Sequence, residues 1–114
     1  MSARSGAIRL SPYFPDWFLM PLGEGYRGTG QLEKAREVFE HLAARAPGSL
    51  LSQARLARIH AESGNEIQAR AAAETVLSLD PDFSVARFLA SVPLKEKAER
   101  DKFAAGLLKA GLPE

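Results

Sequence analysis

Residues 16–49, DWFLMPLGEGYRGTGQLEKAREVFEHLAARAPGS, decide the fold of this chain. They predict two antiparallel helices joined by a turn at Gly30, because small, large apolar and helix-breaking residues fall where a packed helical hairpin needs them. Those positions are Leu22, Gly23, Tyr26, Gly30, Ala35, Phe39, Leu42 and Pro47. A shift of about 34 residues, the period of a helix-turn-helix repeat, leads to a second set of the same kind. This second set is Leu56, Ala57, His60, Gly64, Ala69, Ala73, Val76 and Pro81.

Most members of the two sets keep their physical class, which indicates a repeated packing unit. Small residues at Gly23 and Ala35, and at the equivalent positions of the second unit, let two helix backbones approach closely. Glycine in the turn can adopt the left-handed conformation at little cost, and proline after the second helix prevents its continuation. We therefore expect an all-α fold.

These residues resemble the tetratricopeptide repeat family, with two units in register at residues 16–49 and 50–83. The resemblance implies a right-handed stack of antiparallel helical hairpins, an α-α superhelix. Residues 1–15 would be an N-terminal lead and the remnant of a preceding repeat. Residues 84–114 would form a partial repeat and a C-terminal capping helix.

The first helix carries an internal proline. Asp16 is expected to cap this helix, which would run to Thr29, and Pro21 indicates either a kinked helix or one that starts near Met20. The repeat phase favours a single kinked helix, because only then do Leu22 and the following positions share one face. Further helices are predicted at residues 32–46, 49–63, 66–79, 83–91 and 97–110.

The last predicted helix is amphipathic. Its inward residues are expected to be Phe103, Leu107 and Leu108, and Gly111 would end it, with Leu112 folding back on the last turn. Its predicted outer residues are all charged: Lys95, Lys97, Glu99, Arg100, Lys102 and Lys109. A charged outer face suits a helix that ends a repeat array in water.

Composition excludes several classes of function. The 114 residues fit one soluble domain, with 46% hydrophobic and 25% charged residues. A formal net charge of +1 argues against a nucleic-acid surface. Without cysteine there are no disulfides and no thiolate metal ligands, so we expect the reducing cytoplasm. Neither a secretory h-region nor an apolar run of about 20 residues is present, so no membrane segment is expected.

Two patterns that often mark cofactor sites are better explained by packing. Residues 23–28, GEGYRG, have the G-x-G-x-x-G spacing of a dinucleotide loop, but that loop needs a preceding strand, and Pro21 argues against one. The two histidines lie on different predicted helices without further ligands, with His41 expected to be exposed and His60 in the aromatic packing position. We expect neither cofactor nor metal.

No catalytic constellation is evident either. The neighbouring carboxylates Glu33, Glu37 and Glu40 fall on a solvated helix face beside lysine and arginine, which favours ion pairing over acid–base chemistry. Serines occur without a base or an elbow motif. The chain is therefore not expected to be an enzyme.

The concave surface of such an array is lined by the first helix of each unit, and one-turn spacing predicts its residues. They are Trp17, Met20, Glu24, Arg27, Leu51, Ala54, Arg58, Glu62, Val85 and Phe88. The mixture of apolar and charged residues predicts a groove for an amphipathic helix or an extended peptide. The alternative is that Trp17, Met20 and Phe88 are core residues.

Residues 109–114, with Asp82, Phe83 and Ser84, resemble the C-terminal ends of bacterial class III adenylate and guanylate cyclases that carry such repeats behind a catalytic domain. The resemblance implies a regulatory or scaffolding tail for signalling. Similar tails follow winged-helix transcriptional regulators, which is the alternative. No residue matches the paired metal-binding aspartates of a cyclase domain, so no catalytic residue is transferred.

Self-association is a second hypothesis for the function. Four aromatic residues would lie exposed if a preceding unit is absent, and exposed apolar patches tend to pair. They are Tyr13, Phe14, Trp17 and Phe18. The predicted partner is therefore a protein or peptide, or a second copy of the chain.

Overall fold

A computed structural model describes residues 14–92 and 94–114, and these residues contain six α-helices and no strand. The helices are α1 (Asp16–Gly28), α2 (Leu32–Arg45), α3 (Leu50–Glu62), α4 (Glu66–Leu79), α5 (Val85–Ala90) and α6 (Lys97–Lys109). The predicted all-α fold, a stack of helical hairpins like that of tetratricopeptide repeats, is confirmed. Most of the predicted N-terminal lead, including Tyr13, lies outside the described residues.

The two hairpins turn in the same way. Gly30 and Gly64 both have a φ of +80°, a conformation that other residues rarely adopt. After Gly30, the backbone N–H of Gln31 donates to the carbonyl of Tyr26 at 2.8 Å, and the equivalent bond after Gly64 has the same length. The glycines therefore close two structurally equivalent repeats, α1–α2 and α3–α4.

Close backbone contact within each hairpin depends on small residues. A Cβ atom added to Gly23 would lie 2.8 Å from the Phe39 ring, so α1 can approach α2 this closely only with glycine there. Ala35 is fully buried and Ala69 is 2% exposed. The small residues that define the repeat in the sequence thus lie at the helix contacts.

Helix α1 is a single element with Pro21 inside it, so the alternative start near Met20 is wrong. Pro21 is exposed, and its ring therefore faces solvent rather than a neighbouring helix. Asp16 was expected to be the N-cap, but it is the first helical residue. Pro15 precedes it, and no side chain caps the helix.

The prediction was accurate for some of the C-terminal elements and wrong for others. The bounds of α4 agree with the prediction, whereas α5 is three residues shorter than expected and has only six residues. At the end of α6, Gly111 has a φ of +103°, and the N–H of Leu112 donates to the carbonyl of Leu107 at 3.1 Å. Leu112 is buried, as predicted, but Leu108 is 40% exposed, and its predicted inward position is wrong.

The buried apolar residues form two clusters. One lies between α1 and α2, is centred on Leu19 and Phe39, and is joined by Ile59 of α3. The other combines alanines of α3 and α4 with Phe88 of α5 and Phe103 of α6. Helix α6 packs against α3 as well as α5. The C-terminal helix therefore lies against the second repeat as well as at the end of the chain.

Candidate functional site

Charged side chains of α1 and α3 meet on one face of the stack. Glu24 and Arg27 follow each other at one-turn spacing along α1, and Arg55, Arg58 and Glu62 do so along α3. Parallel placement of the first helices of two repeats brings these two rows together. We call the surface formed by these five residues the α1–α3 face.

The two rows are joined by ion pairs. Arg27 donates from Nε to Oε1 of Glu62 at 2.9 Å and from Nη2 to Oε2 at 3.0 Å, a bidentate geometry. Glu24 accepts from Nη2 of Arg58 at 2.7 Å and also contacts Nη1 of Arg55. Each of the two helices thus supplies acidic as well as basic side chains. The pairing between them fixes the position of α1 along α3.

The arginines of α3 are largely removed from water. The Arg58 side chain is 2% exposed and that of Arg55 10% exposed. Burial, together with the charge of Arg58, lowers the pKa of Arg55 to about 10. Burial, with the charge of Arg27 adding to it, lowers the pKa of Arg58 to about 9. The Nε atoms of both arginines are buried and have no hydrogen-bond partner among residues 14–92 and 94–114.

Helix α6 covers this face. The Arg58 guanidinium lies 4.3 Å from the centroid of the Phe103 ring, within the range of a cation–π contact. A Cβ atom added to Gly106 would lie 2.5 Å from Cγ of Arg58, so glycine is needed for α6 to approach this closely. At the start of α6, Oε1 of Glu99 lies 3.6 Å from Nη1 of Arg27.

The predicted groove residues occupy three kinds of surroundings. Trp17 is 77% exposed, and Met20 and Leu51 are half-buried. The charged residues belong to the α1–α3 face described above. The remaining three are buried in the second core cluster: Ala54, Val85 and Phe88. The open part of the predicted groove is therefore its Trp17 end.

The sequence predicted that Phe103 faces inward but did not reveal that α6 lies on this face. The prediction assigned Glu99 to the outer surface, although Glu99 is only half-exposed and pairs with Arg27, and it gave Arg55 no role. A glycine inside a helix, three residues after an aromatic residue, was the available signal, because Gly106 weakens the helix unless close packing requires it.

Packing accounts for the cofactor and metal patterns seen in the sequence. The stretch 23–28 lies within α1, so its glycines do not form the turn between a strand and a helix that a dinucleotide requires. Nε2 of the buried His60 lies 3.6 Å from Oε2 of Glu40. His41, expected to be exposed, is half-buried, and its Nε2 finds no hydrogen-bond partner within the residues that the structure describes. Across residues 14–92 and 94–114, no three His, Asp or Glu side chains are grouped to hold a metal ion.

The predicted ion pairing of the α2 carboxylates is confirmed for two of them. Arg36 contacts Glu33 one turn before it, and its Nη1 lies 2.9 Å from Oε1 of Glu40 one turn after it. Glu33 is exposed, whereas Arg36 and Glu40 are half-buried. These pairs explain the acidic run of this helix without acid–base chemistry.

The sequence of residues 26–92, more than half of the chain, matches a family model described as "Tetratricopeptide repeat". No curated protein and no solved structure matches the chain. Within the described part of the chain, no helix combines the length and the apolar character needed to cross a bilayer.

Proposed function

Because this chain belongs to the tetratricopeptide repeat family, we propose that it is a non-catalytic protein-interaction and regulatory module. Repeats of this family typically bind protein partners and are generally non-catalytic. The observation that carries the proposal is the Trp17 side chain, which is 77% exposed beside the half-buried Met20, at the open end of a charged helical face. An exposed aromatic residue next to charge suits a peptide or amphipathic helix.

Site-specific photocrosslinking tests this function. A photoreactive phenylalanine analogue at Trp17 should capture a protein partner, whereas the same analogue at Ile67, an 84% exposed residue on α4, should not. Trp17→Ala should then weaken binding of the captured partner at least about tenfold, the scale of an interface anchor. Equal capture from both positions, or unchanged affinity of Trp17→Ala, would contradict the proposal.

We further propose that the module is the C-terminal part of a cyclase-related signalling protein, with a transcriptional regulator as the alternative parent. The resemblance of residues 109–114 and of Asp82, Phe83 and Ser84 to such C-terminal ends supports this placement. Sequencing the reading frame upstream of residue 1 tests it. An in-frame cyclase domain is expected, and a winged-helix domain or an in-frame stop codon would overturn it.

The exposed aromatic residues support self-association as a second candidate function. The ring centroids of Trp17 and Phe18 lie 6.3 Å apart, and those of Phe14 and Phe18 lie 5.2 Å apart. Exposed apolar side chains that lie next to one another can pair with a second copy of the same surface. In sedimentation equilibrium, a dimer that Trp17→Ser dissociates and Ile67→Ser does not would support it. A monomer at high concentration would rule it out.

A further inference from the structure

We propose that α6 is a displaceable occupant of the α1–α3 face, and that this face receives an amphipathic helix of a partner protein carrying the same contact residues and an additional carboxylate. The proposal deepens the function above and rests on it, because it names the partner chemistry and the regulation of the same surface. Three observations on α6 carry it.

The first observation is the set of contacts that α6 makes. It presents Glu99 to Arg27, Phe103 to Arg58, and Gly106 to the Arg58 side-chain stem. These three residues recur at helical spacing on one side of α6 and match the chemistry beneath them in charge, aromatic character and size. Helix α6 therefore already binds the face as a helical ligand would.

The second observation is that α6 leaves this face incompletely satisfied. The Nε atoms of Arg55 and Arg58 are buried beside α6, and no acceptor for them lies in the described part of the chain. Helix α6 contributes the Phe103 ring here, and Glu99 reaches Arg27 only at 3.6 Å. A helix that placed a carboxylate within reach of these two N–H groups would bind more tightly than α6 does, because buried donors gain most from a charged acceptor.

The third observation is the tether. Helix α5 ends at Ala90 and α6 begins at Lys97, so a short segment connects them. A short link gives α6 an effective concentration on the order of millimolar at the face. A helix added in solution must compete with α6 for the face. The apparent affinity of the wild-type chain for that helix is therefore the intrinsic affinity multiplied by the fraction of molecules in which α6 is displaced.

The partner helix is defined by this geometry. It carries an acidic residue four positions before an aromatic residue and a glycine three positions after it, as Glu99, Phe103 and Gly106 do. A further acidic residue near the aromatic position would reach Arg55 and Arg58. Neutral or basic helices would leave the Nε–H groups of Arg55 and Arg58 without a charged acceptor and would not pair with Arg27, so the same argument disfavours them.

The test uses a fluorescent peptide of residues 94–114 and the chain of residues 1–114. In the chain, Gly106→Leu should unseat its own α6, because even a Cβ atom at this position would lie 2.5 Å from Arg58 Cγ. Ala105→Leu is the matched control, since Ala105 is exposed on the same helix. We expect the Gly106→Leu chain to bind the peptide about 100-fold more tightly than the wild-type or Ala105→Leu chain.

The peptide also provides its own specificity control, since a Phe103→Ala version should bind at least about tenfold more weakly. Equal peptide affinity of the three chains, or no binding to the Gly106→Leu chain, would overturn the proposal. Loss of cooperative thermal unfolding in Gly106→Leu would overturn it too, because the core cluster to which α6 contributes Phe103 would then not persist once α6 is displaced. None of these results affects partner capture at Trp17, so the proposed function is tested separately.

Discussion

The guanidinium group of Arg58 lies 4.3 Å from the centre of the Phe103 ring, and both side chains are shielded from water. Arg58 belongs to the first helix of the second repeat and Phe103 to the C-terminal helix, so this contact joins elements distant in sequence. Through this contact, the α1–α3 face binds a helix. The stability of the fold and the availability of the groove therefore depend on the same residues.

Phe103→Leu should destabilise the chain by about 1–3 kcal/mol. The leucine still fills part of the space, but the cation–π contact with Arg58 is lost, which contributes about 2 kcal/mol for a desolvated pair. Leu108→Ala is the control on the same helix and should change the unfolding free energy by less than about 0.5 kcal/mol, because Leu108 is 40% exposed. Urea denaturation measures both, and equal losses would contradict the assignment.

Gly23→Ala should destabilise the fold by about 1–3 kcal/mol even though alanine favours helices. The added methyl group would lie 2.8 Å from the Phe39 ring, and both residues are buried, so α1 and α2 must separate. Gly25→Ala, two residues later in α1, meets no atom within 4 Å and should stabilise the chain by up to about 1 kcal/mol. Thermal unfolding of the two variants should show opposite signs. A shared sign would argue against close packing at Gly23.

The repeat unit itself could be predicted because its signals are local. Gly30 and Gly64 recur one period apart and both adopt the left-handed conformation that a helix-terminating turn requires. Likewise, Ala35 and Ala69 were placed correctly at buried contacts, since small residues that recur one period apart on helices indicate close backbone packing. Short-range patterns of this kind fix hairpins but not how distant helices dock.

Replacing Glu62 by glutamine should cost about 1–3 kcal/mol of stability. Arg27 is 8% exposed and loses the charged half of a bidentate pair, which leaves a largely buried guanidinium group poorly compensated. The control is Glu33→Gln, which breaks a surface pair with Arg36, and there Glu33 is 74% exposed. We expect the control to lose less than about 1 kcal/mol. Chemical denaturation in low and high salt measures the unfolding free energy of both variants. A greater loss of stability in Glu33→Gln than in Glu62→Gln would contradict the account.

Stability should fall as the pH drops from 7.5 to 5, with His60 as a main cause. Burial lowers the pKa of His60 below its ordinary value of 6.5; Glu40 opposes this effect and Arg36 adds to it. The unfolded chain therefore binds a proton near pH 6.5 that the folded chain takes up only at lower pH. Stability from this group is thus constant above that value and is lost below it.

The urea midpoint at pH 5 and pH 7.5 measures this effect. His60→Gln should flatten the pH dependence relative to the wild-type chain, because the residue whose pKa is lowered by burial is removed. Parallel pH profiles for the wild-type and His60→Gln chains would show that other groups are responsible.

The docking of α6 was the part of the site that the sequence did not reveal. Periodicity placed Phe103 and Leu107 correctly on the buried side of a terminal helix, yet it carried no information on which helix receives them. Leu108 was predicted to face inward with Leu107, whereas the buried side of the helix is formed by Phe103, Gly106, Leu107 and Ala110. Likewise, the pairing of Glu24 with two arginines results from tertiary packing, which spacing along one helix cannot specify.

The most direct test of the account is a nuclear Overhauser measurement between the ring protons of Phe103 and the side-chain methylene protons of Arg58 in the chain of residues 1–114. We expect clear cross-peaks and an upfield shift of those methylene resonances, because the ring faces the guanidinium group at 4.3 Å. If Phe103 shows cross-peaks to α5 but none to Arg58 or Arg55, α6 does not lie on the α1–α3 face, and the central claim is wrong.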